Sequence, residues 1–214
     1  MIKKMKKSLL IFGGKSTAIE IRESVLIYPN LYDNVLLVVP DDEIVENNYD
    51  HILNKDLDLF TRNYDCKYII GFTNIPGRLK VQKKMKELNV SPTNVIDPSS
   101  FISETAKIGK GNFISSGAIL SHKSVIGNHC IVHYHVSIGH DSHIEDNSIF
   151  LPGSRISGNV KIGNRVLVGS NSFVFQGKKI GDDCIIDAMT YVDSDMEENH
   201  IGSSRRFNQY KRVV

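Results

Sequence analysis

The sequence of 214 residues lacks a long apolar segment and has almost no excess of charge of either sign. No stretch approaches the roughly 20 consecutive apolar residues that a membrane-spanning helix requires. Lysine and arginine number 26 and aspartate and glutamate 24, so the net charge is only +2. Binding to nucleic acid needs a concentrated basic surface, which this balance disfavours. The sequence therefore predicts a protein whose partners are neither nucleic acids nor membranes.

Cysteine is also scarce, and its pattern excludes the usual disulfide and metal frameworks. Cys66, Cys130 and Cys184 are odd in number and have no CxxC spacing, which favours packing roles in a reducing compartment. The chain opens like a signal peptide, but the apolar run Leu9–Phe12 is too short and lacks a plausible cleavage site. We therefore expect a cytoplasmic protein. Basic residues cluster at both ends and are interpreted as solvated termini: Lys3, Lys4, Lys6, Lys7, Arg205, Arg206, Lys211 and Arg212.

Two common nucleotide-binding motifs are missing as well. Gly14-Lys15-Ser16 resembles the end of a P-loop, but Leu9 stands where the upstream glycine would be. The dinucleotide-binding pattern GxGxxG does not occur. The first loop is therefore only a weak indication of phosphate binding.

A period of six residues dominates the second half of the chain. Three such hexads make one triangular coil of a β-solenoid, and stacked coils bury each other's apolar edges. A small residue, expected to point inward, usually follows each aliphatic one after four positions, including Cys130 and Cys184; Asn112 and Lys178 break this rule. The aliphatic positions, with one phenylalanine among them, are Ile96, Ile102, Ile108, Ile114, Leu120, Ile126, Val132, Ile138, Ile144, Phe150, Ile156, Ile162, Val168, Val174, Ile180, Ile186 and Val192.

The first 95 residues alternate between strand and helix patterns. Uninterrupted apolar runs predict strands at Ser8–Phe12, Val35–Val39 and Tyr68–Gly71, and helical spacing predicts helices over Thr17–Tyr28 and Pro76–Leu88, the latter with lysines on its outer face. This order predicts a small parallel α/β domain of Rossmann-like type. Ligands of such sheets bind beyond the carboxyl ends of the strands, which here are followed by Gly13, Gly14, Lys15, Ser16, Asp41, Asp42, Gly71, Phe72 and Asn74.

The organisation predicted is an α/β domain over residues 1–95, a β-helix over 96–192 and a C-terminal capping segment over 193–214. The hexad phase is lost in the last of these segments, where Ile201-Gly202 and Phe207 are the expected anchors. An open end of a solenoid needs covering, so this segment is interpreted as a cap or a subunit contact.

The repeat also places the histidines relative to one another. Residues 18 apart stack on adjacent coils, so His122, His140 and Gly158 form one outward column. A glycine at position 158 predicts open space over the imidazole of His140, through which a ligand can pass. His129 and His143 are interpreted as solvated surface residues. Asp141 is expected to help orient or stabilise the His140 ring.

A zinc site is the competing interpretation of these histidines. The same solenoid carries a three-histidine zinc site in gamma-class carbonic anhydrases, and His135 and His140 have the five-residue offset used there. However, Glu145 stands five residues after His140, and residues 99–104 contain no histidine. We therefore expect no metal.

The sequence resembles the bacterial nucleotide-sugar N-acetyltransferases, whose relatives include sialic-acid O-acetyltransferases. The resemblance covers most of the chain and rests on segments 69–74, 138–141, 151–153 and 156–163. It implies a left-handed parallel β-helix, a homotrimer, acetyl-CoA as co-substrate and a role in cell-surface polysaccharide biosynthesis. By this resemblance His140 is the catalytic base, with Asp141 beside it, and acetyl-CoA lies between two subunits near Arg155, Gly158, Ser170, Lys178 and Lys179.

Three departures from the family pattern affect the expected contacts. The first loop usually reads Gly-x-Ser-Gly-His-Gly but is here 13–18, Gly-Gly-Lys-Ser-Thr-Ala, so that Lys15 can supply a charged contact instead. His133 stands where an asparagine is common, seven residues before the catalytic histidine, and is predicted to contact the substrate. Residues 187–189 replace a glycine-rich coil near the coenzyme.

The function implied is acetyl transfer from acetyl-CoA to the amine of a UDP- or dTDP-linked amino-dideoxy sugar by direct attack in a ternary complex. His140 would take the proton of the amine, since its intrinsic pKa suits a general base at neutral pH. Transfer to a hydroxyl, zinc chemistry and a non-catalytic scaffold are the alternatives.

Overall fold

The computed structural model describes residues 5–43, 45 and 49–204. Lys3, Lys4, Phe207 and the C-terminal basic cluster (Arg205, Arg206, Lys211 and Arg212) lie outside these residues. Within the part described, no helix is long and apolar enough to cross a membrane.

The α/β part is a parallel sheet of five strands in the order β3-β2-β1-β4-β5. The carboxyl-terminal halves of its interior strands are apolar, and Leu9, Leu10 and Ile11 in β1 are fully buried. The three expected strands and two expected helices are confirmed, whereas β3, α2 and β5 were not expected because they are short. The elements are β1 Lys7–Phe12, α1 Thr17–Leu26, β2 Asn34–Val39, β3 His51–Leu53, α2 Leu57–Asn63, β4 Asp65–Ile70, α3 Ile75–Glu87 and β5 Ser91–Pro92, with a 3-10 turn at Asn54–Asp56.

The second half is the expected solenoid, with three parallel sheets of two-residue strands. Consecutive strands of a sheet pair in a register of 18 residues, as Ile119 does with Ser137. Parallel sheets together with the hexapeptide repeat fit a left-handed β-helix. Face 1 contains β6 Val95–Ile96, β9 Phe113–Ile114, β12 Ile131–Val132, β15 Ile149–Phe150, β18 Leu167–Val168, β21 Ile185–Ile186 and β23 Ile201–Gly202. Face 2 contains β7 Phe101–Ile102, β10 Ile119–Leu120, β13 Ser137–Ile138, β16 Arg155–Ile156, β19 Phe173–Val174 and β22 Tyr191–Val192. Face 3 contains β8 Lys107–Ile108, β11 Val125–Ile126, β14 His143–Ile144, β17 Lys161–Ile162 and β20 Lys179–Ile180.

The small inward residues connect successive coils through hydrogen bonds. The hydroxyl of Ser142 donates to the carbonyl of Ser157 (2.8 Å) and accepts from the backbone N–H of Val160 (3.1 Å). Ser148 and Ser172 repeat this pattern one hexad and five hexads later. A small polar side chain at this position therefore satisfies backbone groups that would otherwise be buried without a partner.

Asn112, which breaks the rule of small residues, performs the same task as the serines. Its side chain is fully buried, donates to the carbonyl of Gly127 (2.9 Å) and accepts from the N–H of Cys130 (2.7 Å). The spacing of 15 and 18 residues matches that of the inward serines, so the exception in sequence preserves the hydrogen bonds between coils.

The last coil in the described part is shorter than the others. Met196 bridges to Ile180, and Ile201–Gly202 pair with Ile185–Ile186, a spacing of 16 residues in both cases. The described portion of the expected cap therefore continues the solenoid over two of its three faces, with a different period. Loss of the hexad phase in the sequence reflects this shortening.

The α/β part packs against the outer side of face 1. Ile21 and Val25 of α1 share one buried apolar cluster with Phe113, Ile131 and Ile149, whose side chains point outward from the solenoid. Outward apolar residues on face 1 are thus explained by the neighbouring sheet and helix rather than by the interior of the coil.

A buried arginine connects the two parts. Arg78 of α3 is fully buried and donates to the carbonyls of Phe72 (2.7 Å) and Ile70 (3.4 Å) through one nitrogen. Its other terminal nitrogen donates to the carbonyl of His129 in the solenoid. Burial lowers the pKa of Arg78 to about 10, so the guanidinium remains protonated at neutral pH. One side chain therefore ties the end of β4 to the coil beside it.

The expectation that His129 is solvated is wrong. Its ring stacks on Tyr68 of β4, with centroids 5.9 Å apart and planes inclined by 24°. Burial, together with the charge of Arg78, lowers the pKa of His129 to about 4. The repeat places this side chain on the outside of the coil, but the outside is here covered by the α/β part.

The partly buried, neutral His129 predicts a loss of stability in mild acid. In the unfolded chain it binds a proton near pH 6.5, whereas in the folded protein it does so only near pH 4, so the free energy of unfolding should fall as pH is lowered through this window. The loss from this residue should be on the order of 3 kcal/mol at most. Urea unfolding between pH 7 and pH 4 measures it. His129→Asn, which tolerates the left-handed backbone of this turn (φ 56°), should flatten the dependence, and an unchanged slope would contradict the assignment.

Candidate active site

His140 and Asp141 occupy the turn between faces 2 and 3, directly after β13. The third residue after each aliphatic position has a left-handed backbone in these turns, and Asp141 has φ 55°. This conformation brings the carboxylate back to the preceding imidazole, where Nδ1 of His140 lies 2.9 Å from Oδ2 of Asp141. Because a carboxylate can only accept, Nδ1–H donates and the lone pair of the neutral ring is on Nε2. An imidazole in this arrangement can accept a proton at Nε2.

The space beside Gly158 is not open, contrary to the prediction from the sequence. The column of His122, His140 and Gly158 is retained, since strands of successive coils pair at 18 residues. However, a Cβ built on Gly158 would lie 2.6 Å from Cε1 of His140, too close for van der Waals contact. The place that a side chain at position 158 would take is therefore filled by the His140 ring, and Gly158 is buried beneath this ring. The glycine allows the Nε2 edge of the imidazole to approach the next coil closely.

Two basic residues of the preceding coil, His122 and Lys123, influence Asp141. His122, one coil before His140, has Nδ1 2.9 Å from the hydroxyl of Thr105, which also accepts the N–H of Lys123 (2.9 Å). The hydrogen bond from His140 lowers the pKa of the Asp141 carboxyl, and the positive charges of Lys123 and of protonated His122 act in the same direction. Asp141 is therefore ionised at neutral pH and can stabilise a positive imidazole.

A cavity of about 630 Å³ opens at the carboxyl ends of β1, β2 and β4. Gly71, which lines this cavity, allows the end of β4 to pack closely on α1, because a Cβ there would lie 2.6 Å from Cα of Ala18. The cavity is lined by Phe12, Gly13, Gly14, Lys15, Val38, Pro40, Glu43, Asn54, Leu57, Gly71, Phe72, Gly77, Lys80, Val81 and Lys84. Neither His140 nor Asp141 lines it, so the two parts of the predicted site are separate within one chain.

The structure brings some of the predicted substrate-binding residues together and leaves others apart. Gly13, Gly14, Lys15 and Gly71 line the cavity, as does Phe72. The remaining predicted residues do not line it: Asp41, Asp42, Asn74 and His133.

Local contacts explain three of the residues that lie outside the cavity. Asp41 accepts the backbone N–H of Lys55 (2.9 Å), and Asn74 caps α3 by accepting the N–H of Gly77 (2.8 Å). His133 is only 5% exposed, and its Nδ1 lies 3.5 Å from Oε2 of Glu20 in α1. Burial lowers the pKa of His133, against the opposing effect of Glu20. These side chains hold loops and the junction between the two parts.

The residues predicted to contact the coenzyme are spread over the coil. Arg155 is exposed on face 2, Ser170 lies on the turn between faces 1 and 2, and Lys178 lies on the turn between faces 2 and 3. Lys179 is exposed at the start of β20 on face 3, and Gly158 is buried. One chain thus presents these residues on two corners and two faces rather than in a single cleft.

Sequence reasoning missed Lys80, Val81 and Lys84 as cavity residues. The lysines of α3 were assigned to its outer face, because many of them occur in succession. Lys80 and Lys84 lie one turn apart and line the cavity, whereas Lys83 and Lys86 do not, although Lys80 is exposed to solvent as these two are. The helical spacing of Gly77, Lys80, Val81 and Lys84 was the signal that would have identified this side. Among the residues that the structure describes, no group of three or more His, Cys, Asp or Glu side chains could hold a metal ion.

Two family models match parts of the solenoid. Residues 141–176 match the family described as bacterial transferase hexapeptide (six repeats). Residues 159–194 match the family described as hexapeptide repeat of succinyl-transferase. The first match begins at Asp141, within the turn that carries the histidine–aspartate pair. A search of curated protein sequences gives no match.

The fold is similar over almost its full length to those of solved acetyltransferases. A histidine-to-asparagine variant of perosamine N-acetyltransferase from Caulobacter crescentus, in complex with CoA and GDP-perosamine, is 21% identical with a TM-score of 0.85, covering 98% of this chain and 99% of that one. The acetyltransferase domain of PglB from Neisseria gonorrhoeae FA1090, in complex with acetyl coenzyme A, is 19% identical with a TM-score of 0.82, covering 92% and 95%. WeeI from Acinetobacter baumannii AYE is 19% identical with a TM-score of 0.82, covering 91% and 95%. At these identities the likeness establishes a common fold.

Proposed function

We propose that this protein is an acetyl-CoA-dependent N-acetyltransferase that acts on the amine of a nucleotide-linked amino sugar. The observation that carries the proposal is the His140–Asp141 pair, whose hydrogen bond of 2.9 Å leaves Nε2 as the basic nitrogen on a hexapeptide coil. Structures of the same fold were solved with CoA and GDP-perosamine and with acetyl coenzyme A, which supports this substrate class.

The proposed reaction is a single displacement at the thioester carbonyl. The amine nitrogen attacks this carbon, the new C–N bond forms, and Nε2 of His140 takes the proton released from the nitrogen. The C–S bond then breaks, and the thiolate of coenzyme A receives a proton. Asp141 stabilises the imidazolium that exists between these steps. His140 thus gains and loses one proton in each turnover, and no covalent enzyme intermediate is required.

The α/β part is proposed to serve as a Rossmann-like nucleotide-binding domain. The cavity at the carboxyl ends of its strands lies where doubly wound sheets bind ligands. Gly13, Gly14 and Gly71 line this cavity, and Lys15 supplies a positive charge. Because the resemblance in sequence favours UDP or dTDP whereas a similar structure holds GDP-perosamine, all three nucleotides are candidates.

A homotrimer would complete the site. The cavity and His140 are separate within one chain, and the residues assigned to the coenzyme lie on different corners. Face 2 exposes apolar side chains that a neighbouring subunit would cover, with Phe101, Ile119 and Tyr191 exposed by 62%, 44% and 56%. We therefore propose that acetyl-CoA binds between two subunits, near Arg155, Ser170, Lys178 and Lys179, in a protein that acts in the cytoplasm.

A thiol-release assay tests the function. The protein is incubated with acetyl-CoA and a panel of UDP-, dTDP- and GDP-linked amino sugars, together with their hydroxy counterparts. Release of coenzyme A with an amino sugar, and a product that retains its acetyl group after hydroxylamine treatment, is the expected result. Release with the hydroxy sugars, giving a hydroxylamine-sensitive product, would identify an O-acetyltransferase, and no release with any acceptor would refute the proposal.

Gly158→Ala tests whether turnover depends on where the His140 imidazole lies, because this variant displaces the ring without removing it. The added Cβ would occupy the place of the His140 ring, which is half exposed and can swing outward without disturbing the core. A displacement of about 1 Å in a reacting group can lower turnover by about 10²-fold, and we expect a loss of this size. Turnover and the melting temperature are measured together. Normal turnover in the variant would show that contact with Gly158 does not fix the reactive position.

A further inference from the structure

One wall of the cavity carries two lysines whose charge the proposed function has not used. Lys80 and Lys84 of α3 are separated by four residues, so they project from the same side of the helix about one turn, or roughly 5 Å, apart. Gly77 lines the cavity in the turn before them and Val81 lies between them. The helix therefore places two lysine side chains next to each other along the cavity.

The charges that line the cavity do not balance. Among the described lining residues, Lys15, Lys80 and Lys84 are basic, and Glu43 is the acidic one. The ammonium of Lys15 lies 3.9 Å from the carboxylate of Glu43, so these two charges offset each other. Lys80 and Lys84 remain as a surplus of two positive charges.

Lys84 also has a partner outside the cavity. Its Nζ lies 2.7 Å from Oδ1 of Asp58 in α2, but the two side chains are 43% and 47% exposed. Pairs that are exposed to this degree contribute little to stability, because water and salt screen them. An anionic ligand in the cavity can therefore compete with Asp58 for this ammonium group.

The rest of the lining is complementary to an aromatic or apolar ligand body. Phe12, Val38, Leu57 and Phe72 form its apolar part, while Asn54 provides an amide. A ligand for such a cavity combines a flat organic group with two neighbouring negative charges. A nucleoside diphosphate has both, whereas a nucleoside monophosphate linked to a sugar has a single negative charge at its phosphodiester.

We infer that Lys80 and Lys84 bind the diphosphate group of the nucleotide-linked acceptor. The inference rests on the proposed function, since it assigns the charge recognition within the same cavity. Lysine suits this task because each ammonium has three donors that rotate to meet phosphate oxygens. The two residues hold the nucleotide end of the acceptor and take no part in the transfer step.

Binding without chemistry tests this inference. Isothermal titration of the full chain with UDP, GDP and dTDP, and with uridine, guanosine and thymidine, separates phosphate recognition from base recognition. We expect Lys80→Ala combined with Lys84→Ala to weaken binding of the preferred diphosphate at least tenfold and to leave the weak binding of its nucleoside unchanged. Affinity for the diphosphate should also depend less steeply on salt in this variant.

Matched controls come from the same helix and from α2. Lys83→Ala combined with Lys86→Ala removes the same charge from positions outside the cavity and should leave affinity within twofold of the wild type. Asp58→Asn removes the competing carboxylate, so it should tighten diphosphate binding by a few-fold. If replacing either lysine pair weakens binding equally, the effect comes from the general charge of the helix, and the inference is overturned.

The possible outcomes distinguish this inference from the proposed function. A wild-type protein that binds no diphosphate refutes the nucleotide site itself, together with both lysine assignments. Binding by the wild type that persists unchanged in the Lys80 and Lys84 double variant refutes only the lysine assignment. Turnover of a monophosphate-linked or free amino sugar with kcat/KM equal to that of every diphosphate-linked one would show that no contact to a diphosphate contributes to turnover, and would refute the lysine assignment while leaving acetyl transfer established.

Discussion

Replacing His140 with alanine is expected to lower turnover by about 10²–10⁴-fold, the usual contribution of a general base. The Nδ1–H bond to Asp141 leaves Nε2 to accept the proton of the attacking amine, and alanine provides no substitute. The imidazole is half exposed, so its removal should neither create a cavity nor unfold the protein. Steady-state kinetics with saturating acetyl-CoA, together with a thermal melt, would show the loss in kcat at unchanged stability.

His143→Ala is the matched control for this prediction. His143 is half exposed like His140, and its Nε2 lies 3.2 Å from Oε1 of Glu145, so it too is paired with a carboxylate. It projects from face 3 in the next strand. Turnover in the control should remain within about twofold of the wild type, since surface substitutions have small effects. A folded His140→Ala protein with nearly normal kcat would remove the histidine from the role of base.

Replacing Arg78 with alanine is expected to destabilise the protein by about 3–5 kcal/mol, a cost typical of removing one partner from a buried charged network. The side chain is fully buried and donates to carbonyls in both parts of the molecule, at Ile70, Phe72 and His129. Alanine leaves these acceptors without their donor and opens a void where the long side chain lay. Urea unfolding at pH 7 measures the change.

Arg78→Met separates the two causes of this destabilisation. Methionine fills most of the volume but donates no hydrogen bond, so its cost reports mainly the loss of the donor to the three carbonyls. The free energy of unfolding of Arg78→Met should lie between those of the wild type and the alanine variant. Methionine avoids most of the void, and it also removes the unfavourable burial of a charge. Lys83→Ala, an exposed change on the same helix, should stay within about 0.5 kcal/mol. A loss below about 1 kcal/mol in Arg78→Ala would show that the connection between the parts does not depend on this residue.

The parts of the structure that depend on the repeat could be predicted, because one period determines which residues point inward. The 18-residue spacing correctly placed His140 in a column with Gly158, and it placed Cys130 in the core. The turn conformation that brings Asp141 onto His140 has no such signal, since a left-handed backbone also occurs at Lys123 in the same position.

The errors occur where distant segments meet. His129 looked like a surface residue because the repeat describes the coil alone, whereas Tyr68 and Arg78 cover it from the α/β part. Lys80 and Lys84 were assigned to an outer face, since the sequence does not reveal that a cavity lies on their side of α3. Long-range packing, and not local propensity, decides both cases.

The shortened last coil has a consequence for how the chain avoids self-association. A stack of parallel strands ends in unpaired backbone groups, and such an edge can template the addition of another molecule. In the last described coil, β23 and the bridge at Met196 follow a 16-residue spacing, while the coils before them follow 18. Gly202 takes the inward position that pairs with Ile186, and a Cβ built on it would lie 3.2 Å from Sδ of Met196. On face 1 this coil therefore offers a second solenoid no aliphatic side chain of the kind on which its own coils stack.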